Sequence, residues 1–182
     1  MKPLDTLSQY REVFTFPIEE YYKRVGFDFD KIPFSMLAHE YMEDYQEKSY
    51  ACDLHSDVLD VVNKAKNLGF SQTVLSASKM DYLLKQMETL HVDDLFDSIY
   101  GINDIYAKSK VELAHAFKQT CSLDDEIYFV GDSVHDYEVA KSIGAKCILV
   151  TTGHQNRATL ESVNVPVMDS LMESLDLIYE RD

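Results

Sequence analysis

The chain has 182 residues, of which 46% are hydrophobic, which is enough for one domain with a sizeable core and at most a small appendage. Its net charge of −15 argues against nucleic acid and anionic membranes as partners. No stretch approaches the roughly 18 apolar residues of a membrane span, and the first residues lack a signal peptide's apolar segment. Three cysteines at no metal or redox spacing predict free thiols in a reducing cytoplasm.

Residues 1–50 are rich in Tyr, Phe, Glu and Lys and contain no clear strand. Their apolar and aromatic residues recur at helical spacing, so this region is predicted to be a helical unit. One predicted face carries Tyr10, Phe14 and Tyr21, and another carries Leu37 and Tyr41.

From residue 51 to residue 182, helical patterns alternate with short apolar runs. The predicted strands are QTVLS, SIYG, IYFVG, CILV and a weak VPVM, and the predicted helices cover residues 56–68, 79–90, 110–120, 135–143 and 171–179. Such alternation predicts an α/β domain with a parallel sheet. In such sheets the chemistry lies at the carboxyl ends of the strands.

The most informative strand end is that of IYFVG. Gly131 permits a sharp turn there, Asp132 follows it, and Asp136 comes one helical turn later. Two carboxylates facing one cleft suit Mg²⁺, which prefers oxygen ligands. Ser133 and Asp136 also fit a helix capping box, which would explain both residues without a metal but leaves Asp132 unexplained.

Ser76 ends the strand QTVLS. Its hydroxyl and the following backbone N–H group of Ala77 are predicted to form an anion site at a helix start. Ser78 is instead predicted to cap the next helix, with Asp81 three residues on.

Lys110 follows Ser109, which forms a capping pair with Glu112. The first helical position is unfavourable for a cation because of the helix dipole, so Lys110 is more easily explained if it faces an anion. Lys108 is the rival candidate for this role.

These three stretches, in this order, resemble the second, third and fourth sequence motifs of the haloacid dehalogenase-like hydrolase superfamily. Those motifs are a strand-end Ser or Thr (Ser76), a helix-start Lys (Lys110) and a GDSxxxD segment, here with one residue fewer between Ser133 and Asp136. The resemblance covers residue 54 to the C-terminus and is nearest to the phosphoglycolate-phosphatase-like branch. Residues 1–50 would then be part of that family's helical cap, and residues 51–182 its Rossmann-like three-layer core.

The resemblance implies a Mg²⁺-dependent phosphatase acting on a small phosphorylated metabolite. Ser76, Ala77 and Lys110 would hold the phosphoryl group, with Ser76 and Lys110 counted as catalytic, and Asp132 and Asp136 would hold Mg²⁺. A non-catalytic binding or regulatory protein and a phosphomutase are the alternatives. A dehalogenase is disfavoured, because its chemistry needs no Mg²⁺ acid pair.

In this family the nucleophile is an aspartate at the end of the first strand, followed two residues later by an acid. The segment FDFDK at residues 27–31 has this spacing, with Asp28 and Asp30. However, Lys23, Arg24 and Gly26 precede it where a buried strand needs apolar residues. We therefore interpret FDFD as a chance match at a helix end.

The chain is accordingly expected to lack the first strand and its nucleophile, and hence to be N-terminally truncated relative to the family and catalytically inactive as written. In the family that strand lies between the strands ending at Ser76 and Gly131. Its place should be taken by another segment, by self-association with a partner chain, or by direct pairing of the two flanking strands.

Overall fold

The computed structural model describes residues 4–102 and 109–180, with all side chains except those at positions 43, 46 and 47. Residues 4–50 are helical, as predicted, and form α1 (Leu7–Val13), α2 (Ile18–Arg24) and α3 (Phe34–Ser49). A network of aromatic contacts joins α1 to α2, because the rings of Tyr10 and Phe14 both lie against Tyr21 at centroid distances of 5.8 and 5.4 Å.

The rest of the described chain alternates strands and helices, which confirms the predicted α/β class. The strands are β1 (Thr73–Lys79), β2 (Ser98–Ile102), β3 (Tyr128–Gly131), β4 (Lys146–Val150) and β5 (Val167–Met168). The helices are α4 (Val58–Asn67), α5 (Met80–Thr89), α6 (Lys110–Thr120), α7 (Val134–Ser142), α8 (Arg157–Glu161) and α9 (Leu171–Tyr179), with a 3₁₀ turn at Asp93–Leu95. The short helix α8 and the 3₁₀ turn were not predicted from the sequence.

The strands form two parallel sheets. One pairs β1 with β2, and the other has the order β3-β4-β5. Helices cover these sheets from both sides, as parallel sheets require. On one side of the first sheet, Leu83 and Met87 of α5 pack with Val74 and Ile99 of the strands.

The two sheets share one helical layer. Ala114 of α6 and Val139 of α7 form a single apolar cluster, against which Leu75 of β1 and Phe129 of β3 both pack. Both sheets are therefore attached to the same pair of helices. Leu75, which precedes Ser76, and Phe129, two residues before Gly131, therefore contact the same helical layer.

Direct pairing of β1 with β3, one of the three predicted ways to fill the place between them, is wrong. Within the described residues β1 hydrogen-bonds only to β2, and β3 only to β4.

Val130 of β3 is 38% exposed. Hence β3 is not the fully buried strand that its apolar sequence indicates.

The three cysteines are free, as predicted. Cys52 is exposed, whereas Cys147 of β4 is buried, and its burial together with the nearby Asp136 charge raises the pKa of its thiol to about 12. No helix in the described part of the chain is long and apolar enough to cross a membrane.

Candidate active site

Asp136 accepts more hydrogen bonds than Asp132, the other carboxylate near the end of β3. It lies in the first turn of α7 and is 3% exposed. Its Oδ2 accepts hydrogen bonds from the Asp132 N–H (3.0 Å), the Ser133 N–H (3.1 Å) and the Ser133 hydroxyl (2.7 Å). The Ser133 hydroxyl in turn accepts from the Asp136 N–H at 3.2 Å, which completes the capping box. Position 131 requires glycine, because the neighbouring Asp136 side chain leaves no room for a Cβ there.

The other oxygen of Asp136 binds Lys110. The Lys110 Nζ lies 2.6 Å from Asp136 Oδ1, and the two side chains are 17% and 4% exposed. Burial by itself would raise the pKa of the Asp136 carboxyl, but the Lys110 ammonium and the donors from Ser133 and Asp132 together hold this pKa below its ordinary value. The ammonium also lies 5.5 Å from the centre of the Phe129 ring. Lys110 is thus fixed between β3 and the start of α7.

The capping role of Ser109 is confirmed, because its hydroxyl accepts from the Glu112 N–H at 3.3 Å and α6 begins at Lys110. The anion beside Lys110 in the structure is the Asp136 carboxylate. The rival Lys108 lies outside the described residues.

Asp132 directly follows β3 and is half-buried. Its Oδ2 accepts a hydrogen bond from the backbone N–H of His154, at 2.7 Å. Its carboxylate also lies so close to the Cα of Gly153 that a Cβ at that position would collide with it. The segment after β4 therefore closes one side of the site, and one carboxylate oxygen of Asp132 already accepts a hydrogen bond from it.

The prediction that Ser76 ends its strand is wrong, because β1 continues to Lys79 and α5 begins only at Met80. Ser76 instead lies where the regular pairing of β1 with β2 ends, since the register shifts after Leu75. Its hydroxyl accepts the Ser78 N–H at 3.1 Å, and Ala77 between them is exposed. The predicted cap at Ser78 is wrong, because β1 continues through Ser78 to Lys79 and α5 begins at Met80 without a side-chain cap. No hydrogen bond among the described residues joins Ser76 to Lys110 or Asp132.

The FDFD segment lies in an exposed turn between α2 and α3, as the chance-match interpretation predicted. Asp28 Oδ1 accepts the Asp30 N–H at 3.1 Å, and Asp28 Oδ2 pairs with Lys31 at 2.9 Å. These bonds are local and solvent-exposed, so Asp28 does not stand at the end of a buried strand.

The residues present do not form a closed Mg²⁺ site. Asp136 directs both oxygens at protein donors, and Asp132 directs one at His154. Across residues 4–102 and 109–180, no group of three His, Cys, Asp or Glu side chains is placed to hold a metal ion. Mg²⁺ favours a well-shaped octahedral oxygen cage, and of the four carboxylate oxygens of Asp132 and Asp136, three already accept hydrogen bonds from described residues.

Sequence analysis missed the part that α1 takes in this region. The segment after β4 contains Thr152, Gly153 and His154. Arg11 donates to the carbonyls of the first two, and the Tyr10 hydroxyl contacts the third. The rule that chemistry lies at the carboxyl ends of strands would have indicated that segment, since residues 151–155 follow the apolar run CILV. No local pattern connects it to a helix more than 140 residues earlier.

A family model described as haloacid dehalogenase-like hydrolase matches residues 3–150 of the chain. No curated protein sequence matches it significantly. Among solved structures, a haloacid dehalogenase-like family hydrolase from Streptococcus pneumoniae is 20% identical, with a TM-score of 0.81 over 97% of this chain and 83% of the other. A predicted phosphatase from Clostridium acetobutylicum is also 20% identical, with a TM-score of 0.77 over the same shares.

A predicted phosphoglycolate phosphatase from Haemophilus somnus is 16% identical, with a TM-score of 0.65 over 94% of this chain and 80% of the other. At these identities the three structures establish the shared fold, while the family model covers most of the chain.

Proposed function

Because the chain belongs to the haloacid dehalogenase-like hydrolase family, we propose that it binds a small phosphorylated metabolite in the manner of a phosphatase. The site is the edge where β1 and β3 end, with Ser76, Ala77 and Lys110 holding the phosphoryl group. The observation that carries this proposal is the Lys110–Asp136 pair, which fixes an ammonium group beside the end of β3 in a strongly acidic chain.

Lys110 suits this role for a physical reason. An ammonium group has three N–H donors, and the hydrogen bond to Asp136 uses one of them. Since Asp136 and the capping box hold the lysine in place, little reorganisation is needed when an anion arrives. With a net charge of −15, the chain repels anions at long range, and a local cation offsets this repulsion at the site.

We expect inorganic phosphate to bind in a Lys110-dependent way. In calorimetric titrations, Lys110→Met should weaken phosphate binding about tenfold or more, the value of one charge-assisted hydrogen bond. Lys118→Met is the matched control, because Lys118 is in the last turn of the same helix, at the opposite end from Lys110. Equal affinity for phosphate in native protein and Lys110→Met would contradict the proposed site.

Lys110→Met leaves the buried Asp136 unpaired, so loss of folding must be separated from loss of binding. The double variant Lys110→Met/Asp136→Asn removes both charges together and serves this purpose. We expect circular dichroism to show that this double variant is folded. Calorimetry should show that it binds phosphate more weakly than the native protein does.

For Mg²⁺ we propose weak binding with Asp132 as the main ligand and Asp136 nearby. Calorimetry should show an affinity no tighter than about millimolar, because so few free oxygens are available. Binding should disappear in Asp132→Asn and persist in Asp124→Asn, an exposed control. Tight binding that survives Asp132→Asn would locate the metal elsewhere.

We further propose that Asp28 is not a nucleophile, since it sits in an exposed turn paired with Lys31. The 182-residue chain should then show no turnover of an aryl phosphate with Mg²⁺ that depends on Asp28, and would act as a binding protein rather than a hydrolase. Robust hydrolysis lost in Asp28→Asn would overturn this and establish covalent catalysis by that residue.

A further inference from the structure

The segment between β4 and α8, residues 151–156, is held from one side by α1. We call it the β4–α8 loop. Arg11 donates from Nε to the Gly153 carbonyl (2.8 Å) and from Nη2 to the Thr152 carbonyl (2.9 Å). The Tyr10 hydroxyl lies 2.6 Å from His154 Nδ1, and the Phe14 ring stacks on the His154 ring at 4.8 Å. Helix α1 thus contacts three consecutive residues of the loop.

From the other side, the same loop contacts the site. The His154 N–H donates to Asp132 Oδ2 at 2.7 Å. The side-chain oxygen of Gln155, which is buried, accepts the Val134 N–H at the start of α7 at 2.7 Å. The loop therefore lies between α1 and the residues that begin α7.

One peptide group connects the two sides. The carbonyl that accepts from Arg11 Nε belongs to Gly153, and the N–H that donates to Asp132 belongs to His154, so both are parts of the same peptide bond. A trans peptide is planar, and its C=O and N–H point in opposite directions. A guanidinium that fixes the carbonyl therefore also fixes the direction of the N–H towards Asp132.

We propose that Arg11, assisted by Tyr10, is a positioning residue for Asp132, acting through the Gly153–His154 peptide. The planar guanidinium fork suits this, because two donors on consecutive carbonyls define the orientation of both. The hydrogen bonds on the two ends of one peptide also polarise each other and strengthen together. Burial and the neighbouring Tyr21 raise the pKa of the Tyr10 phenol far above neutrality, so its proton stays in place.

This inference rests on the proposed function insofar as Asp132 is a binding residue, but it can be tested without any ligand. The readouts are hydrogen exchange of the His154 amide and the chemical shift of the Asp132 carboxyl carbon by NMR. Arg11→Met keeps the apolar stem and removes both donors. Arg24→Met, at the exposed end of α2, is the matched control.

We expect the His154 amide to exchange at least about tenfold faster in Arg11→Met, with a shifted Asp132 carboxyl signal, and to be unchanged in Arg24→Met. Arg11→Lys, which cannot form the fork, should give an intermediate result in a chain that remains folded. In an Asp132→Ala background, where the amide has already lost its acceptor, Arg11→Met should add little further acceleration.

Native-like His154 exchange and Asp132 shift in both Arg11 variants would overturn the proposal, even if the variants were less stable. Additive effects of Arg11→Met and Asp132→Ala on the exchange rate would overturn it as well. If phosphate and Mg²⁺ fail to bind the native chain while the amide responds as expected, the proposed function fails and the Arg11–Asp132 coupling stands.

Discussion

Asp136 shows how a carboxylate that is 3% exposed can be accommodated in an acidic protein. Burying a charge is costly unless it is paired and hydrogen-bonded. Here Lys110 supplies the counter-charge, and Ser133 and the Asp132 N–H supply the remaining donors. Both carboxylate oxygens are thereby engaged by donors.

Asp136→Asn is expected to destabilise the protein by about 1–3 kcal/mol at neutral pH, because buried donors lose a charged acceptor. Since the pKa of Asp136 in the folded chain lies below its value in the unfolded chain, its contribution is fully present above about pH 3.9 and is lost as pH falls through the folded pKa. The difference between native and variant should therefore be largest near neutrality and shrink below about pH 4. Urea unfolding at a series of pH values measures this.

Asp124→Asn, an exposed substitution, serves as the control. It should leave the decrease in the free energy of unfolding at acidic pH unchanged. A difference between native protein and Asp136→Asn that grows as the pH falls would contradict the depressed pKa of Asp136.

Helices α6, α7 and α9 each begin at a serine cap, and these caps differ in burial. Ser109 caps α6 and Ser170 caps α9, each by accepting one N–H, whereas Ser133 of α7 both accepts from and donates to Asp136. Ser133 is 4% exposed. A cap with two bonds in a buried position should therefore contribute more than a cap with one bond near solvent.

Ser133→Ala should cost about 2 kcal/mol or more in the free energy of unfolding, and Ser109→Ala and Ser170→Ala about 1 kcal/mol each. Chemical denaturation of the three variants side by side measures this order. Equal losses would show that the Ser133–Asp136 bonds add nothing beyond ordinary capping.

The arrangement of the two sheets bears on association. Within the described residues, β1 and β3 each have one edge without a strand partner. Val130, which belongs to β3, is partly exposed. Unpaired strand edges are templates for pairing with another chain. We therefore expect reversible self-association through these edges.

Light scattering after size exclusion should show a dimer fraction that rises with protein concentration. Val130→Lys should weaken the dimer about tenfold, since a charge at an edge strand opposes pairing. Leu123→Lys is the control, because Leu123 is fully exposed and lies in the segment between α6 and β3. A monomer at every concentration would refute the association.

The sequence by itself determined most of the helices and strands of this protein, although β1 runs on to Lys79, beyond its predicted end at Ser76. Helical and strand periodicity, caps and apolar runs are local signals, so α6 and α9 begin and end where their patterns predict. The same local chemistry excluded FDFD as a strand end, and the site roles of Asp132 and Lys110 stay predictions. The main local error, at Ser78, arose because β1 continues through this residue to Lys79 instead of ending at Ser76.

The tertiary structure alone decided which of these groups meet. Lys110 and Asp136 are 26 residues apart, and Arg11 and Gly153 are 142 apart, so no periodicity connects them. Their contacts follow from the packing of α6 and α7 on both sheets and of α1 on the β4–α8 loop. Local patterns specify which face of an element is buried, but the pairing of distant groups depends on packing between elements, which the sequence pattern does not encode.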